Sequence, residues 1–158
     1  MLDQLAIARR IVTDGHQVVP AWRVRCADGD WLVLTRFDHD KPGQRDRAVT
    51  LMKRFMAWKL AQSFILTTET WIGSVETRAS EEAIATVGMS RAERLGILQI
   101  IRRNGAVRFE PPLWLSIEQM DSLYWSMLPQ REESITAKEA RALELIFGEN
   151  GEFPAHKV

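Results

Sequence analysis

The spacing of apolar residues divides the chain into alternating helical and extended segments. Leu2, Leu5, Ala8 and Ile11-Val12 recur at helical spacing and predict a short amphipathic helix that Gly15 stops. Gln17 to Cys26 and Trp31 to Phe37 read as strands, with Val18, Trp22 and Val24 alternating approximately with polar neighbours. Between them, Ala27-Asp28-Gly29-Asp30 predicts a turn, because Asp-Gly supports positive φ. Pro20 places the first run at an edge or a bulge, since proline has no amide to give to a ladder.

The most polar loop, FDHDKPGQRDR, leads into a helix from about Gln44 to Gln62, whose buried face is marked by Val49, Met52, Phe55-Met56 and Leu60. SFILTTETWIG then suits a central strand. Residues 81 to 89 alternate, with Ala83, Ala85, Val87 and Met89 on one face and Glu82, Ile84 and Thr86 on the other. Leu95 to Ile101 is nearly continuous apolar chain, and RRNGAVRF predicts a hairpin with a type I′ turn at Asn104-Gly105.

Beyond Pro111-Pro112, Ser116 with Gln119 and Thr136 with Glu139 have capping-box spacing and open two helices, the second ending near Gly148. Residues 148–158 are expected to fray. The order is α-β-β-α-β-β-β-β-α-α. It predicts a single α+β domain over residues 1–158, with one mixed or mainly antiparallel sheet and a long helix on one face. No internal repeat or low-complexity linker interrupts it.

Composition narrows the function. The chain has 158 residues, 21 basic and 21 acidic, and a formal net charge of zero. That argues against nucleic-acid binding by bulk charge. Charge is uneven, with a basic first third and an acidic last third that could attract each other within a monomer or between protomers. A lone Cys26 rules out an intrachain disulfide and a multi-cysteine zinc site. Arg9-Arg10 interrupts the first apolar stretch, no run has the length of a membrane span, and a reducing cytoplasm is the default expectation.

Three clusters could carry function. Glu69 and Trp71 share a face of the third strand, where Glu69 is either a surface acid paired with an arginine or a sheltered acid with a shifted pKa. Asp38, His39 and Asp40 have ligand-type side chains that, with Glu69, could hold Mg²⁺ or Mn²⁺ for a small metal-dependent hydrolase. A polar loop before a helix also needs aspartate for turns and caps. Arg102, Arg103 and Arg108 form a basic hairpin that could contact phosphates, or could be a solvated tip paired with the acidic C-terminal third. Six Trp is many for this length. Trp114, Met120, Tyr124, Trp125 and Met127 gather beside one apolar stripe, which is either the buried side of a helix or a protein-binding surface.

The middle of the chain, roughly residues 45 to 110, resembles a loose set of uncharacterised bacterial and phage proteins. In those, a helix leads into a strand ending in an acid and Trp, then a strand beginning Glu-Ala, then one ending in Arg. The matching pieces here are Glu69-Thr70-Trp71, Glu82-Ala83-Ile84 and Ile100-Ile101-Arg102, with Thr70 where that pattern has a small Ala. The resemblance implies the helix–meander order and a prokaryotic or mobile-element source, and it implies no activity.

No GxSxG, P-loop or GxGxxG is present. The expectation is therefore a non-enzymatic accessory domain of unknown pathway. It would act through contacts with another protein or with itself as a homo-oligomer, without membrane or cofactor.

Overall fold

The computed structural model describes residues 1–37, 41, 43–73, 80–116, 119, 128 and 134–158. Among the described residues, three helices and eight strands follow in the order α1 (Leu2–Thr13), β1 (Ala21–Cys26), β2 (Gly29–Leu34), α2 (Gln44–Trp58), β3 (Ser63–Gly73), β4 (Ser80–Ser90), β5 (Arg94–Arg102), β6 (Arg108–Phe109), β7 (Leu113–Leu115), α3 (Ala137–Phe147) and β8 (Ala155–Lys157). The strands form one sheet in the order β6-β5-β4-β3-β1-β2-β8, with β7 also pairing β5. Every pairing is antiparallel. The α+β class and the helix–meander order α2-β3-β4-β5 agree with the sequence pattern.

Strand alternation assigns the two faces of the sheet. On β3, Phe64 and Leu66 point to the α2 side, where they join Trp22, Val24 and Val33 under Ala48, Val49, Met52, Phe55 and Met56. Phe55 is the hub of this core, with ring centroids 4.7 Å from Phe147, 6.0 Å from Trp31 and 6.1 Å from Trp58. On the opposite face α1 sets Leu5, Ala8 and Val12 against Ile84, Ile97 and Ile101. The basic and acidic ends meet within the monomer. Arg47 grips Glu152 through two bonds of 2.5 and 2.7 Å, and Arg54 pairs with Glu139.

Several boundaries differ from expectation. β1 starts at Ala21 rather than Gln17 and lies inside the sheet; Pro20 precedes it, and its carbonyl accepts from Thr35 N–H at 2.9 Å. α2 ends at Trp58, because Leu60 turns left-handed (φ 52°) and Ala61 N–H reaches back to Met56 O at 2.9 Å. The turn at Asn104-Gly105 is not type I′. Only Gly105 has positive φ, and the Arg102–Arg108 register closes a longer loop.

The end of the chain, expected to fray, forms β8 on the edge of β2. Phe153 is its anchor at 2 % exposure. The reversal after α3 needs Gly151, where a Cβ would sit 2.3 Å from the Ile146 carbonyl oxygen. The capping box of α3 is complete in both directions between Thr136 and Glu139. At Ser116 the reciprocal arm is present, its N–H donating to Gln119 Oε1 at 2.8 Å. The rest of the helix expected to follow Ser116 lies outside the described residues.

Candidate functional site

Glu69 faces α1, in the interior of β3, four residues before the strand ends. Its Oε2 accepts from the backbone N–H of Val18 at 3.0 Å, on the connector between α1 and β1. Its Oε1 lies 3.6 Å from Arg103 Nη2. Antiparallel register sets Glu69 opposite Ile84 and Trp71 opposite Glu82, so the two glutamates are diagonal neighbours on one face. Arg103 binds Glu82 in a bidentate fork of 2.6 and 2.7 Å. Both glutamate side chains are only 13 % exposed.

These surroundings push the two acids apart. Burial, and then the carboxyl of Glu82, hold Glu69 above the ordinary glutamate range, against the pull of Val18 N–H and Arg103. The Arg103 fork holds Glu82 below that range. Both readings of Glu69 meet here: it is sheltered and shifted, and it is also paired with an arginine.

A groove of about 480 Å³ lies on the other face of the sheet. Its floor continues β3 past the α2 core through Leu66, Thr68 and Thr70, and includes Ala85, Val87 and Leu98. Phe37 and Arg45 stand on one side, Leu115 and Gln119 on the other, and Trp71 contributes at the end. Glu69 and Glu82 are not among its lining residues. The Thr68 hydroxyl is turned to the Glu69 carbonyl at 3.0 Å.

The remaining candidates separate. Asp38, His39 and Asp40 lie outside the described residues, and among the described residues no cluster of three or more metal-ligating side chains occurs. Trp114 is 59 % exposed on β7, whereas Met120, Tyr124, Trp125 and Met127 lie outside the described residues. Arg102 bridges Glu81 and Glu110 at 2.6 Å each, so its partners and those of Arg103 come from the middle of the chain, not from the acidic last third. Arg108 is exposed on β6.

Cys26 is buried, and burial with Asp28 nearby pushes its thiol up to about 12, which leaves it a small apolar residue. No described helix is long and apolar enough to cross a membrane.

Two features escaped the linear reading. Glu82 was visible as one member of an alternating strand and of the Glu82-Ala83-Ile84 piece, and its pairing with Glu69 follows once the β3–β4 register is known. Lys59, at the end of α2, lies over two indoles, with Nζ 3.7 Å from the Trp58 ring centroid and 4.5 Å from that of Trp31. Comparison with protein-family models, curated proteins and solved structures finds no match to this chain.

Proposed function

We propose that the protein is a non-catalytic accessory domain that acts through protein contacts, self-association first among them. One observation carries this reading: the sheltered acids and the groove lie on opposite faces of the sheet. General acid–base catalysis needs the acid within hydrogen-bond reach of a bound substrate. Here the oxygens of Glu69 are directed to Val18 N–H, Arg103 and Glu82, and the groove is floored by aliphatic and threonine side chains.

The rim supports contact. Leu113 (53 % exposed) pairs with Leu98 on the groove face, on the same strand as the lining residue Leu115. Large exposed apolar side chains beside a groove favour burial against another chain.

Light scattering over a concentration series tests the reading. The wild type is expected to show a reversible rise in mass, and Leu113→Asp to remain monomeric with an unchanged circular dichroism spectrum. A wild type that stays monomeric at the highest concentration overturns self-association. Heat released on titration with Mn²⁺, abolished by Glu69→Gln, would instead favour the metal-dependent hydrolase.

A further inference from the structure

We propose that Glu69 and Glu82 form a proton-sharing pair beneath the α1–β1 connector, so that uptake of one proton tightens the docking of α1 on the sheet. The geometry supplies the coupling. Val18 is buried in the same cluster as Leu5, Ala8 and Val12 of α1, and its amide is fixed to Glu69 Oε2 at 3.0 Å. Whatever happens to the Glu69 charge is therefore felt where α1 joins the sheet.

Among the described residues, the charged groups acting on Glu69 are Glu82 from β4 and Arg103, the residue after β5 ends. The connector contributes a backbone amide. With both acids ionised, two like charges share a poorly solvated site and a single guanidinium, whose fork is directed to Glu82. When Glu69 takes a proton, its hydroxyl donates to the Glu82 carboxylate, and its carbonyl oxygen still accepts from Val18 N–H. Repulsion is replaced by a hydrogen bond, and no bond to the connector is lost. Undocking of α1 would expose Glu69 to water and favour its charged form, so by linkage the protonated form favours the docked state.

The test is amide hydrogen exchange and NMR on the full chain between neutral pH and the ordinary glutamate value of 4.5. The Val18 amide proton is expected to titrate with a midpoint above 4.5. Protection factors of α1 amides should rise several-fold across the same window while those of α2 stay level. Glu69→Gln should hold α1 at the acid-state protection at all pH values, and Glu82→Gln should lower the Val18 midpoint. A Val18 amide that does not titrate above 4.5, or α1 protection that stays flat or falls as it does, overturns the proposal. The wild-type titration decides the matter even if a variant fails to fold.

Discussion

The two faces of this sheet are packed by different chemistry. Under α2 and α3 the core is aromatic, with Trp22, Phe55, Phe64, Phe147 and Phe153 in contact or nearly so. Under α1 it is a smaller aliphatic patch of Leu, Ile, Val and Ala. Aromatic side chains bury more area and prefer defined ring geometries, so the first face fixes the fold. The second face holds the sheltered acids and a short helix, an arrangement suited to local opening. On the proposal above, rigidity and responsiveness are separated by the thickness of one sheet.

The largest expected effect breaks the aromatic side. Phe55→Ala removes the ring shared by Trp31, Trp58 and Phe147 and should cost about 3–5 kcal/mol by urea denaturation. Ile97→Ala, fully buried under α1, should cost somewhat less, about 2–4 kcal/mol. Its loss should appear first as faster exchange in α1. If Ile97→Ala destabilises α2 amides as early as those of α1, the two faces are one cooperative unit and the comparison fails.

A smaller change sharpens it from the stable side. Leu60 is 63 % exposed in a left-handed conformation that closes α2. Leu60→Gly should stabilise by about 1 kcal/mol in thermal melts, because glycine adopts that region without a Cβ clash. The smallest effect concerns pH. Glu69 is held above 4.5, so the folded chain binds its proton before the unfolded chain does, and stability rises as pH falls from the raised value towards 4.5. Glu82 is held low, so its contribution is present above 4.5 and is lost as pH falls through its depressed value. Melting temperatures between pH 7 and 4 should therefore pass through a shallow acid-side maximum that Glu69→Gln removes.

Long elements with a strong period were legible in the chain. β3 to β5 are nine to eleven residues each and alternate or run apolar, so local pattern sufficed. The α3 cap was legible because a capping box is a four-residue signal. β8 was not, because Ala-His-Lys has no strand pattern of its own; it is held by Phe153 and by a reversal at Gly151, both non-local. Glu69 was legible as a candidate, but its partner was not. A register slip of one residue would have placed Glu82 on the far face, and register is a property of the assembled sheet. The groove was hidden for a similar reason: it exists where α2 stops covering β3, a matter of how the elements are docked.

The three-residue ribbon at the end of the chain has one more consequence. Pro154 and Val158, flanking His156 opposite Leu32, occupy the outer hydrogen-bonding groups of Leu34 and Asp30, and so seal a border of the sheet that would otherwise be open. A shortened chain ending before Phe153 would present that border to its neighbours. Such a truncation should tend to stack strand on strand into insoluble polymer while the remaining sheet keeps its internal pairing.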